Sequence, residues 1–216
     1  MTKRIITIFI LFIGLTSFSQ SDKNQFIGLN LIQLPASTIN INYSIDCKPF
    51  LTPIADIGYA FGYNYKYDLI GHFLTPHNDT YDGYTIEKQS GGYVKVGGFL
   101  NLRKNFEKLN FFHLGLFITN SMVYEKGLYL SIDDSRPYAY ADEVEHTIYI
   151  FGFSSSIGYE FMITNHLKAN TDFQLSFPNR KYLDLYSYTN FIPGMGYKDC
   201  MDKWFPMVIL NLKYRL

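Results

Sequence analysis

The sequence predicts an all-β fold, an eight-stranded antiparallel up-and-down transmembrane β-barrel with short periplasmic turns and three long extracellular loops. Three observations predict it. Eight stretches alternate apolar with small or polar residues, their connections are sorted by length, and an export-type leader precedes them. The alternation is cleanest from Ile54 to Tyr65. There Ala55, Ile57, Tyr59, Phe61, Tyr63 and Tyr65 are apolar or aromatic, and Asp56, Gly58, Ala60, Gly62 and Asn64 are small or polar. Strand side chains point alternately to opposite faces, so one face is apolar and the other wet. Roughly 9–11 such residues, tilted by about 45°, cross the hydrocarbon core of a bilayer. A soluble β-sandwich also alternates, but it has no reason to sort its connections by parity.

Residues 1–19 read as a signal peptide and 20–216 as the barrel domain. Lys3 and Arg4 form a positive start, and Ile5 to Leu15 is an apolar run too short to span a bilayer as a helix. Ser17-Phe18-Ser19 places small residues where signal peptidase looks for them, so cleavage is expected before Gln20. No cysteine stands near this point, which argues against a lipid anchor. A mean hydropathy of -0.05 suits a barrel, since only every second residue meets lipid. The 19 basic and 19 acidic residues balance, which leaves no electrostatic case for nucleic acid. Nineteen tyrosines and nineteen phenylalanines supply the interfacial girdles that such barrels carry.

The strands follow in order. The first, about Phe26–Leu34, has Ile27, Leu29 and Leu31 opposite Gly28 and Asn30, with its facing left open because Ile32 and Leu34 are also apolar. The second is Thr38–Ile45 and the third is the Ile54–Tyr65 stretch. The fourth, Gly92–Arg103, sets Val94, Val96, Leu100 and Leu102 against Lys95, Gly97, Asn101 and Arg103. The fifth is Phe111–Tyr124, the sixth Thr147–Phe161, the seventh Leu167–Phe177 and the eighth Phe205–Leu216. The stretches after the second, fourth and sixth (Asp46–Pro53, Lys104–Asn110, Met162–His166) are short. Those after the third, fifth and seventh (Lys66–Gly91, Glu125–His146, Pro178–Trp204) are long. That alternation belongs to outer-membrane barrels. It would separate Cys47 from Cys200 by roughly 30 Å of hydrocarbon core, so no disulfide is expected between them.

The leader ending Ser-Phe-Ser-Gln, the tyrosine-rich eight-strand pattern and the terminal strand Val208–Leu216 resemble the small outer-membrane β-barrel proteins of Bacteroidota. The resemblance spans the mature chain and rests on pattern. It implies a Gram-negative outer membrane, contact with its lipids and lipopolysaccharide, and the barrel-assembly machinery as a partner during biogenesis. Such barrels end in an aromatic residue, whereas this chain ends in Leu216 with Tyr214 on the same face.

Eight strands leave an interior that side chains can fill. Asp56, Glu160 and Asp172 should face Lys95, Arg103, Lys168, Lys213 and Arg215 there, as a salt-bridged filling, because an unpaired buried charge costs several kcal/mol, on the order of the desolvation penalty. The expected role is a monomeric structural or binding platform without cofactor or catalytic residues. Outer tyrosines (Tyr81, Tyr84, Tyr138, Tyr140, Tyr186, Tyr188) would offer contact area to a protein or glycan. A lipid acyl hydrolase or transferase would need a serine–histidine–acid set. The candidates are His146 with Glu145 or Glu143 and Ser131 or Ser135, and His113 with Ser121, which stand about 26 Å apart on an extended strand. An accessory barrel of a secretion complex is a further alternative. The acidic stretch Asp133, Asp134, Asp142, Glu143 and Glu145 fits no calcium loop, and His72 with His77 lacks the further ligands of a zinc site.

Overall fold

The computed structural model describes residues 24–62, 80–81, 84–131, 140–179, 191–197 and 204–216. The expected signal peptide therefore lies outside the described residues. The strands are β1 (Asn24–Asn30), β2 (Thr38–Asp46), β3 (Leu51–Ala60), β4 (Thr80–Tyr81), β5 (Tyr84–Asn101) and β6 (Phe111–Ser131). They continue with β7 (Tyr140–Met162), β8 (Leu167–Pro178), β9 (Phe191–Ile192), β10 (Gly196–Tyr197) and β11 (Phe205–Arg215). Antiparallel pairing runs β3-β2-β1-β11-β8-β7-β6-β5, and β3 pairs with β5, so eight strands close on themselves. β4 adds a short hairpin partner to β5, and β9 and β10 form a separate two-stranded sheet.

Ile27, Tyr43, Ala55, Val96, Ile118, Phe153 and Phe177 stand side by side around the wall. Carried across β11 and back to β1, the same line has climbed about ten residues, a stagger that goes with strands tilted by roughly 40–45°.

The facing follows the alternation. In β1, Phe26, Gly28 and Asn30 point in and Ile27 points out, which settles the strand whose facing the sequence left open. Outward side chains are apolar and uncovered: Leu116 is 63% exposed, Ile57 59% and Ile157 56%. At the end with the short turns this band is bordered by rings, with Phe112 and Tyr159 at 4.8 Å and His166 and Tyr214 at 6.3 Å. At the opposite end Tyr59 and Phe61 (4.7 Å) and Phe151 and Phe153 (5.3 Å) do the same. A continuous apolar belt of this kind is out of place in water.

The long connections are shorter than the sequence indicated. β5 begins at Tyr84 and β6 and β7 pair as far as Ser131 and Tyr140, leaving residues 132–139 between them. The stretch expected as one loop, Glu125–His146, is mostly a β-hairpin that rises past the apolar belt. Above the belt the outward face carries polar residues such as Lys126 and Glu143 while Glu125 and Gly127 still face inward and are buried, so the apolar alternation that marks strands fades while the hydrogen-bond ladder continues. Lys126 Nζ donates to Glu143 at 3.0 Å across this hairpin, and that bond holds the exposed ammonium pKa above its ordinary value.

The wall is weakest where the chain ends meet. β1 pairs with β11 over only Phe26–Asn30 and Arg215–Asn211. Above that, Leu31 N donates to Leu210 O (2.8 Å) and Leu210 N to Asn30 Oδ1 (3.4 Å). Leu210 thus turns its backbone toward β1, and Val208 and Pro206, two and four residues back, turn the same way. Pro206, which has no N–H, sits on this open edge, where no β1 residue pairs with it.

Candidate functional site

The inside of the barrel carries the chemistry, in two layers. Near the short turns Asp46 Oδ2 meets Arg103 Nη2 at 3.1 Å and Lys168 Nζ at 3.4 Å. Glu160 places one oxygen 2.9 Å from Lys168 Nζ and the other 3.1 Å from Lys213 Nζ. Rings seal the layer: Lys168 lies 3.5 Å over Phe26, and Arg103 4.1 Å over Phe111. Further along, Lys95 Nζ bonds Asp56 (3.1 Å) and Gln174 Oε1 (3.2 Å). Tyr93 donates its hydroxyl to Asp56 (3.1 Å) and accepts from Asn40. His113 Nε2 stands 2.6 Å from Asp172 Oδ1, with Phe99 packed 4.3 Å from the imidazole.

Four carboxylates (Asp46, Asp56, Glu160, Asp172) are thus buried with four cations (Arg103, Lys95, Lys168, Lys213). The space left beside Asp56, Lys95 and Asp172 is about 10 Å³, room for about one water. Glycine makes the packing fit. A Cβ at Gly158 would lie 2.3 Å from Asp172 Oδ1 and 2.6 Å from His113 Nε2. Gly158→Ala is therefore expected to destabilise the barrel by about 1–3 kcal/mol through overpacking, read from its urea unfolding midpoint in detergent.

The second layer fills the other half, and sequence reasoning missed it. Phe191 to Tyr197, within the stretch expected as a long loop, folds into the lumen as the β9–β10 hairpin and is buried throughout. Met195 N donates to Ile192 O at 2.9 Å, with Pro193 and Gly194 between them and Gly194 at φ +77°. Proline second and a left-handed glycine third make a type II turn. Ile192 and Met195 pack with Val123, Ile148, Ile150 and Phe205. Phe191 and Tyr197 pack with Ala60, Met207 and Ile209. Burying Phe191, Ile192, Met195 and Tyr197 contributes roughly 1.5–3 kcal/mol for each side chain. The signal was present as Ile-Pro-Gly-Met, a turn bordered by apolar residues in a polar stretch.

The other expected residues fall as follows. Arg215 is corrected: it shares the parity of Lys213 but is exposed, because at the final residue of β11 the wall has ended. Asp46 belongs to the charged layer although the sequence assigned it to a turn. Tyr81 and Tyr84 stand on β4 and at the start of β5, Tyr140 opens β7, and Tyr138, Tyr186 and Tyr188 lie outside the described residues. His146 Nε2 lies 3.7 Å from Glu125 Oε1, while Glu143 pairs with Lys126 and Glu145 accepts from the Tyr124 hydroxyl. Ser131 ends β6, and Ser135 lies outside the described residues. His113 and Ser121 both point inward on β6 but are eight residues apart, and His113 is engaged by Asp172. Asp133, Asp134, His72, His77 and Cys200 lie outside the described residues, and Cys47 is a free, half-buried thiol. Among the described residues no group of three or more His, Cys, Asp or Glu is placed to hold a metal ion.

No protein-family model matches the chain, and no curated protein matches it. Among solved structures it is similar to the N-terminal β-barrel domain of Pseudomonas aeruginosa OprF, at 6% identity and a TM-score of 0.39, over 91% of this chain and 98% of that one. It is similar to a major outer membrane protein from Thermus thermophilus at 10% identity and a TM-score of 0.46, over 91% and 100%. Acinetobacter baumannii CarO is similar at 9% identity and a TM-score of 0.38, over 89% and 97%. The fold is set by the strand pairing described above, independently of these likenesses.

Proposed function

We propose that the chain is an integral outer-membrane barrel with a closed lumen, a non-enzymatic platform whose working surface is the end with the long connections. The observation that carries this is the combination of an apolar outer belt with an interior filled twice, by paired charges and by the β9–β10 hairpin. A belt of that kind suits hydrocarbon surroundings, and paired charges in one half of the lumen and the β9–β10 hairpin in the other, with about 10 Å³ left beside Asp56, Lys95 and Asp172, support a closed interior. The rising β5–β6–β7 extension then presents the outer surface, in accord with the pattern shared with small Bacteroidota barrels.

The test is electrical. Purified protein inserted into planar lipid bilayers should give no current steps. Removal of the hairpin should give none either, because the Asp46–Arg103–Lys168–Glu160–Lys213 layer still closes the opposite half. Regular steps from the native barrel would overturn the closed-lumen reading.

A further inference from the structure

We infer that the half of the lumen nearest the long connections is a binding cup for a short apolar peptide segment, occupied in cis by Phe191–Tyr197. The cup and its occupant are distinguishable. Among the described residues the hairpin's strands pair only with each other, as a two-stranded sheet apart from the barrel ladder. The wall holds it by side chains aimed at its backbone: Gln89 Nε2 donates to Phe191 O (2.9 Å), Gln174 Nε2 to Gly194 O (3.1 Å) and Ser176 Oγ to Met195 O (2.6 Å). Three donors spread along the occupant ask for a row of carbonyl acceptors, which a peptide carries and a fatty acid, with one polar head, does not.

The wall also sets which peptide. Lumens of membrane barrels are polar, and this half keeps Gln89, Glu125, Gln174 and Ser176 buried, yet between them Val123, Ile148, Ile150, Met207 and Ile209 form apolar patches buried with the hairpin. Gly152 leaves space for the Met195 side chain, whose sulfur would lie 3.0 Å from a Cβ there. The Tyr93 ring lies flush on Gly194, where a Cβ would come within 2.4 Å of Cδ2. The cup therefore takes an apolar segment with glycine under Tyr93, and its occupant in trans is the same Phe191–Tyr197 hairpin from a second copy.

The experiment uses the full chain with residues 191–197 replaced by a glycine–serine linker of equal length, in detergent, and a fluorescein-labelled peptide of sequence FIPGMGY followed by anisotropy. Saturable binding to the replaced chain is expected, with none to the native chain and at least a tenfold weaker affinity for FIPVMGY. A second variant, Gly194→Val, keeps the wall intact while unseating the hairpin, and should also bind the free peptide. Equal binding of FIPGMGY and FIPVMGY, uptake of a long-chain fatty acid in place of the peptide, or no peptide binding by a barrel that still shifts on heating in SDS gels would each overturn the inference. Loss of that heat shift in both variants would show that the hairpin is part of the barrel's core, which overturns it equally.

Discussion

Glu160→Ala is expected to cost about 3–5 kcal/mol, because it strands the buried Lys213 and leaves Lys168 with Asp46 alone. Glu160 is the only carboxylate of the described residues within 4.0 Å of Lys213, and it shares Lys168 with Asp46. Removing it leaves Lys213 fully buried without its counter-charge. Urea titration of the refolded barrel in detergent measures the loss. The companion variant separates the value of the pair from the penalty for breaking it. Replacing Glu160, Lys168 and Lys213 together by methionine should restore stability to near that of the native chain, since a filled apolar layer does without the charges. A loss below about 1 kcal/mol for Glu160→Ala would mean that water reaches the layer, as at an exposed ion pair.

Leu116→Arg is expected to destabilise the barrel by about 2–4 kcal/mol in a phospholipid bilayer, the cost of a cation at the midplane of a lipid-facing wall. Leu116 is 63% exposed on β6 and pairs across the ladder with Gly98 and Ser155. On a water-facing surface the same change would stay within about 0.5 kcal/mol. The outcome therefore decides the environment of the belt directly. Unfolding midpoints in bilayers of defined lipid supply the number, and a neutral result would place the belt in water or against protein.

The parts of the fold that crossed the apolar belt were legible, because there the two faces of each strand meet opposite surroundings and period two is enforced. Ile57 and Asp56, or Val96 and Lys95, could be assigned to their faces from the alternation alone. Where the outward face turns polar as well, the pattern stops reporting. Glu125 to Ser131 and Tyr140 to His146 are strand without alternation to mark them. Arg215 kept the inward parity past the point where there was an inside. Asp46 sits two residues before Lys48 and Pro49, in what reads as a turn, and only the closed barrel brings it to Arg103 and Lys168. The hairpin was hidden for another reason: besides the strand that follows it, its residues pack against Ala60, Val123, Ile148 and Ile150 far away in sequence, and no local pattern states which loop folds inward.

The narrow join between β1 and β11 has a consequence for how the barrel is made. Every other wall pairing links strands adjacent in the chain or, for β3 with β5 and β8 with β11, nearly so. The closing pair brings together residues such as Gly28 and Lys213, about 185 positions apart. Ends that distant meet slowly, and pairings of high sequence separation form late. Five residue pairs reward that encounter, against twenty-one between β6 and β7. The meander can zip from hairpin to hairpin while the chain is still being delivered, but the cylinder waits for its last eleven-residue strand. Until then an open sheet presents two raw edges, so closure is the step at which an external template has the most to offer.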